Sequence, residues 1–140
     1  VRNVCNVKNK TIKKHLKKKK KTLKNNSRIF KCNGVNINSN DVNTYIKQFG
    51  DFSSKDFRTW SANIKLIKYL QNSDKETVDK EVKECIQKVA DKLHHTPEVC
   101  KKNYIFTELI EFYKKDKTKF TRYFNNNINK QFTKFLNENY

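Results

Sequence analysis

From Ser53 onward the apolar residues of this chain return every three or four positions, and that spacing leaves room for little but helices. Ser53 opens "SKDFRTWSANIKLIKYLQ", where Phe57, Trp60, Ile64, Ile67 and Leu70 form one stripe. Ser73 and Glu76 have capping-box spacing, and the helix after them buries Val78, Val82, Ile86, Val89 and Leu93. Thr96-Pro97 is a cap followed by a first-turn proline, so a short helix starts there. One further pattern holds Leu109, Ile110, Phe112 and Tyr113. The last is a single helix through Phe120, Phe124, Ile128, Phe132 and Phe135.

The first third reads differently. "VRNVCNV" alternates Val1, Cys5 and Val7 on one side of a short strand. Residues 8–24 carry ten lysines around a thin stripe of Ile12, Leu16 and Leu23, the pattern of a lightly anchored helix. "KNNSRIFKCNGVNINSN" reads as a loop, with Ile29, Phe30 and Ile37 plugging into a core. Ser39 caps a helix that buries Val42, Tyr45, Ile46 and Phe49, and Gly50 ends it. The expected fold is mainly α, with a short β-strand at the N-terminus. A lone strand cannot satisfy its own ladder, so its partner is either elsewhere in this chain or upstream of it.

At 140 residues the chain suits one domain, and Phe 10 with Tyr 6 supplies bulk for a core. It begins on Val1 without a secretory signal, so it is expected to be part of a longer protein. No apolar run reaches the roughly 18 residues of a membrane span. The net charge is +18, and residues 1–40 hold thirteen of the 32 basic residues and no acid. Such a field attracts a polyanion, nucleic acid before an anionic membrane. Lys17, Lys18, Lys20 and Lys21 are candidate DNA-backbone contacts, and a merely solubilising face is the equal alternative. Cys5, Cys32, Cys85 and Cys100 form no CxxC pair and read as reduced thiols of an intracellular protein.

Most chemistries fail on this sequence. Gly totals 2, so no glycine-rich phosphate loop exists, and HExxH and GxSxG are absent. The acids are scattered, against metal-dependent nuclease chemistry. His94 and His95 are adjacent, but neighbouring side chains diverge, so no metal site is expected. A metal-free constellation on a phosphate remains. Arg58 offers a fork for two non-bridging oxygens, and His95 stands just before a helix start. Tyr104 follows one short helix later. A phenol is a poor nucleophile at neutral pH unless a positive pocket favours the phenolate, and Arg58 with Lys55 would supply one. Each residue alone is more often structural.

Together, "SSKDFRTW" and "KVADKLHHTPEVCKKNYI" resemble the type IB DNA topoisomerases of the poxvirus, giant-virus and bacterial kind. "INSNDVNTYIKQFG" resembles the family's helix before the arginine. The resemblance runs from about Phe30 to Ile105. It implies the multi-helix catalytic fold shared with tyrosine recombinases. It implies that Tyr104 is the nucleophile of a 3′-phosphotyrosyl link, and that Arg58 and His95 contact the phosphate. Lys55 and Asn63 would support that phosphate, and Lys101 and Lys102 would face the DNA backbone. No cofactor or metal is implied. The partner is double-stranded DNA, the protein a monomer, and the compartment intracellular, a virion or viral factory if the source is viral.

Two departures stand out. His94 takes a place where the family has glycine. The family's other catalytic arginine and its general-acid lysine lie upstream of the segment matched here. Residues 1–140 therefore read as a catalytic domain truncated on its N-terminal side and inactive alone. A tyrosine recombinase is the nearest rival, but its His-x-Leu-Arg-His motif is replaced here by Lys55, Asp56, Phe57, Arg58 and Thr59. A basic DNA-binding module without chemistry is the second rival.

Overall fold

The computed structural model describes residues 6–24, 27–74 and 77–140. The chain divides into two compact units, Val1–Ser54 and Lys55–Tyr140. The described residues contain eight helices and one two-stranded sheet, so the fold is mainly α, as expected.

In the first unit, α1 spans Lys10–Thr22. Asn9 caps it, its side chain accepting from Ile12 N at 3.0 Å. Lys19, Lys20 and Lys21 fill the last turn, where cations suit the helix dipole. Lys10, Lys13, Lys14, Lys17, Lys18 and Lys21 line one continuous face. Helical spacing puts Ile12 and Leu16 on the opposite side. The expected strand through Val1 and Cys5 lies outside the described residues, and Asn6 and Val7 have no regular structure.

The segment read as a loop contains a hairpin instead. Strand β1 (Lys31–Cys32) pairs antiparallel with β2 (Val35–Asn36), in the register Lys31 with Asn36 and Cys32 with Val35. Asn33 and Gly34 form its turn with φ of 48° and 82°. Both angles are positive, the demand of a two-residue hairpin turn that Asn-Gly meets best. The dipeptide was a visible signal for the hairpin.

Helix α2 spans Ser39–Lys47, and its cap is Asn38 rather than Ser39. Asn38 Oδ1 accepts from Asp41 N at 3.2 Å, and Asp41 Oδ2 accepts from Asn38 N at 2.8 Å. That reciprocal pair outcompetes a hydroxyl one residue later. The expected core plugs do not form a core in this unit. Phe30 is 62% exposed, Tyr45 61% and Phe49 70%, and no described residue of the unit is buried.

The second unit holds the core. It is built from α3 (Ser54–Gln71), α4 (Val78–Leu93), α5 (Pro97–Tyr104), α6 (Thr107–Lys115), α7 (Lys117–Tyr123) and α8 (Ile128–Asn139). The buried face of α3 is Ala62, Asn63, Leu66, Ile67 and Leu70. Trp60 and Ile64 are half-buried at its edge, while Phe57, expected inside, is 59% exposed. Helix α4 buries Val82, Ile86, Val89 and Leu93 as expected, with Cys85 and Ala90 beside them, while Val78, expected among them, is half-buried. Its cap is Thr77, which accepts from Lys80 N, so Ser73 does not start the helix. Glu76, the other half of the expected capping box, lies outside the described residues.

The pattern from Phe120 to Phe135 is two helices, α7 and α8, not one. Asn125, Asn126 and Asn127 interrupt it, and Asn127 caps α8 by accepting from Lys130 N at 3.1 Å. Asparagine competes with a helix for its own backbone and so favours the cap. The break folds Phe132 and Phe135 back onto the core. Phe112 meets Phe120 edge-on at 5.4 Å and stacks on Phe135 at 6.1 Å.

One charged group lies inside this core. Glu81 of α4 is 1% exposed. Its carboxylate accepts from Tyr113 Oη at 2.7 Å and from Lys117 Nζ at 2.6 Å. Lys117 also donates to Ser73 O at 3.0 Å. Burial, and then the hydrogen bond to Glu81, push the Tyr113 phenol well above its ordinary range. Cys32, Cys85 and Cys100 are free thiols, and Cys5 lies outside the described residues.

Candidate active site

Three elements of the second unit converge on one cluster. Helix α3 carries Arg58, the turn after α4 carries His95, and the last residue of α5 is Tyr104. His95 and Tyr104 lie 37 and 46 positions after Arg58 in the sequence. Only the fold brings them together.

The α4 turn sets His95. Helix α4 ends with His94 in the left-handed region, at φ 58° and ψ 45°. His95 N donates to Ala90 O at 3.0 Å and His94 N to Asp91 O at 3.3 Å, the paired bonds of a Schellman turn. That conformation explains why a glycine belongs at this place: a side chain there crowds its own carbonyl. His94→Gly is expected to raise the unfolding free energy by about 0.5–1 kcal/mol, measured by urea titration. A drop in stability would mean that the exposed imidazole contributes more than its backbone costs.

Helix α5 begins two residues later. Thr96 Oγ1 accepts from Val99 N at 3.3 Å, and Pro97 occupies the first turn, as expected. Glu98 in that turn has its carboxyl held below the usual range by backbone hydrogen bonding and by Thr96. Cys100, fully buried one turn before Tyr104, anchors the helix, and burial pushes its thiol up against the opposing pull of Arg58.

Arg58 links the three elements. Its Nη2 donates to Leu93 O, one of the carbonyls left open at the end of α4. The same nitrogen lies 2.9 Å from His95 Nε2. Arginine only donates, so a hydrogen bond between the two has Nε2 as its acceptor. The guanidinium carbon stands 5.5 Å from the Tyr104 ring centroid. The His95 and Tyr104 rings stack at 5.2 Å, 19° from parallel. A cation, an imidazole and a phenol therefore share one half-exposed surface.

The remaining expected residues fall in three places. Lys55 is exposed, three residues before Arg58 on α3. Lys101 and Lys102 are exposed in the last turn of α5. Lys17, Lys18, Lys20 and Lys21 belong to α1 in the first unit.

Asn63, on the same helix as Arg58, reaches the end of α5. It is fully buried. Its Nδ2 donates to Thr59 O at 2.8 Å and to Tyr104 O at 2.7 Å, and its Oδ1 accepts from Phe106 N at 3.0 Å. Both amide hydrogens are engaged by backbone, so Asn63 holds the chain on either side of Ile105 from beneath. Burial, not the motif, gives it this task. No sequence signal pointed to Phe106 or to the aromatic packing around it, because the partners lie on helices more than twenty residues away.

Among the described residues, no group of three or more His, Cys, Asp or Glu is placed to hold a metal ion. No helix of the described residues is long and apolar enough to cross a membrane.

Comparison with known proteins gives the family. A 1B-type DNA topoisomerase of Acanthamoeba polyphaga mimivirus is 31% identical over 88 residues, covering 56% of this chain and 26% of the relative. The chain thus spans about a quarter of the length of that relative. No solved structure matches it. The family model described as the catalytic core of eukaryotic DNA topoisomerase I matches residues 2–132, and the chain belongs to that family.

Proposed function

We propose that this chain is part of a type IB DNA topoisomerase, which relaxes supercoiled double-stranded DNA by cutting and rejoining one strand. Tyr104 Oη attacks the scissile phosphorus. A tyrosyl O–P bond forms, the bond from phosphorus to the 5′ oxygen breaks, and the 3′ end stays on Tyr104. The phenol proton leaves Oη for solvent as that bond forms, and the departing 5′ oxygen takes one proton up and becomes a hydroxyl. Reversal by that hydroxyl reseals the strand after rotation. The bond energy is kept in the phosphotyrosine, so neither ATP nor a metal ion is required.

The observation that carries this reading is the cluster of Arg58, His95 and Tyr104. Arg58 lies against the phenol ring, where its charge would stabilise the phosphate oxygens in the transition state. His95 accepts from Arg58 in the free protein. On a phosphate, both would turn their donors to the non-bridging oxygens. Lys55, one turn from Arg58, adds positive charge. The family's second arginine and its general-acid lysine are not among the residues of this cluster. We therefore infer that the chain by itself does not complete the cycle and needs the upstream part of the protein.

The test is a suicide oligonucleotide, offered to the protein with that upstream part restored. The expected result is an SDS-stable adduct whose DNA-bearing peptide contains Tyr104. Tight DNA binding with no adduct would support a basic module without chemistry, and sequence-specific pairing of two duplexes would support a recombinase.

The lysine face of α1, in the first unit, is expected to bind DNA backbone in its own right. The six-lysine face of α1 presents a row of positive charge without a carboxylate in its unit before Asp41. Replacing Lys14, Lys17 and Lys18 by Ala is expected to weaken DNA binding and flatten its salt dependence, by about 0.9 in log–log slope for each phosphate that is no longer neutralised. An unchanged slope in a fluorescence-anisotropy titration would mean that the face is only solvated. The protein is expected to act as a monomer in a compartment that holds its DNA.

A further inference from the structure

Arg58 and Tyr104 sit on different helices, so something must hold their spacing. Two residues after each stands an aromatic side chain, Trp60 after Arg58 and Phe106 after Tyr104. Both lean on one ring, Phe132 of α8. The Trp60 and Phe132 centroids are 4.8 Å apart and those of Phe106 and Phe132 are 6.0 Å apart. Phe132 is fully buried between them. One turn earlier on α8, Asn129 Oδ1 accepts from Trp60 Nε1 at 3.2 Å. Tyr140, following α8, meets Phe106 edge-on at 5.5 Å.

Asn63 holds the same span from α3, through the carbonyl of Tyr104 and the amide of Phe106. The stretch Tyr104–Phe106 is thus tied to α3 twice, directly through Asn63 and indirectly through Phe132. A closed loop of contacts of this kind fixes a distance, where a single contact fixes only a neighbour.

We propose that Phe132 is a positioning residue: through Trp60 and Phe106 it sets the separation of Arg58 from Tyr104. The proposal rests on the reading of Tyr104 as the nucleophile. A reacting group displaced by about 1 Å can lose about 100-fold in rate. Binding to phosphates spread over a duplex is far less sensitive to such a shift.

Phe135 is the natural comparison. It is also buried on α8, but its ring partners are Phe112, Phe124 and Tyr123. A purely structural role would make Phe132→Leu and Phe135→Leu equivalent. Both are expected to lower the melting temperature.

The experiment is single-turnover cleavage of a suicide substrate at saturating DNA, in the protein with its upstream part restored. Phe132→Leu is expected to cleave about 10- to 100-fold more slowly, with DNA affinity within about twofold of wild type. Phe135→Leu is expected to cleave at the wild-type rate. Asn129→Ala, an exposed change that removes one hydrogen bond to Trp60, is expected to slow cleavage about fivefold. Trp60 is the one tryptophan of residues 1–140, so the emission of that chain reports the packing, and it should shift in Phe132→Leu but not in Phe135→Leu.

Equal cleavage rates for Phe132→Leu and Phe135→Leu, or a wild-type rate in Asn129→Ala, would overturn the proposal while leaving the nucleophile assignment intact. A wild-type protein that forms no adduct would overturn that assignment and this proposal together.

Discussion

Tyr104→Phe, made in the protein with its upstream part restored, is expected to abolish the SDS-stable DNA adduct and plasmid relaxation. The change removes one oxygen, the atom that would bond to phosphorus. What surrounds it should stay in place. The ring keeps its stack on His95 at 5.2 Å and its place beside Arg58 at 5.5 Å. The backbone keeps its hydrogen bond from Asn63. Affinity for DNA is therefore expected to remain within about twofold, because phosphate contacts spread over the duplex dominate it. Loss of chemistry with retained binding separates a nucleophile from a residue that merely helps the site fold. Residual adduct in Tyr104→Phe would move the nucleophile to another tyrosine and break the assignment.

Glu81→Ala carries the largest expected effect on stability. Glu81 is 1% exposed and receives two charged or polar donors, from α6 and from the start of α7. Its removal leaves the Lys117 ammonium with a backbone carbonyl and no counter-charge, and empties the space beside the Tyr113 hydroxyl. Deleting one partner of a buried pair costs about 3–5 kcal/mol, and the 40% exposure of Lys117 puts this case at the lower end. For a domain whose total stability is about 5–15 kcal/mol, that is a large share of the whole. Glu81→Gln keeps an acceptor for Tyr113 and turns an amide toward Lys117, so it should fall between wild type and Glu81→Ala. By contrast, Lys114 and Asp79 form an ion pair at 2.5 Å with side chains 47% and 82% exposed. Removing that pair is expected to cost less than about 1 kcal/mol. A urea titration of the three variants tests the order. Equal losses for Glu81→Ala and Asp79→Ala would show that the buried carboxylate is no more than a tolerated charge.

Much of the fold was legible because helical spacing is a local property. Val82, Ile86, Val89 and Leu93 could be placed on one buried face without any knowledge of what covers them. Thr96-Pro97 likewise signals a helix start through its own backbone chemistry. The errors have equally local causes. Asn33-Gly34 was a turn signal inside an otherwise polar stretch, and its hairpin is only two residues long on each side. The three asparagines after Phe124 broke an apolar pattern that otherwise kept helical spacing. Phe57 shows the converse limit. Its spacing matches the stripe on α3, yet it is exposed, because the stripe does not say how far the covering helices reach.

The site divides along the same line. Sequence alone determined the residue types: an arginine on a helix, a histidine before a proline-started helix, and a tyrosine at that helix's end. These follow from short motifs, and they carry the family resemblance that the comparison bears out. Tertiary structure decided what those residues touch. It put Arg58 between the open carbonyl of Leu93 and the ring of His95, and placed His94 in a left-handed turn. It made Asn63 a buried clamp under Tyr104, and Phe132 the ring shared by Trp60 and Phe106. The physical reason is range. Spacing along a helix encodes which face a side chain takes, whereas contacts such as that of Trp60 with Asn129 join positions 69 residues apart and exist only once the core has closed.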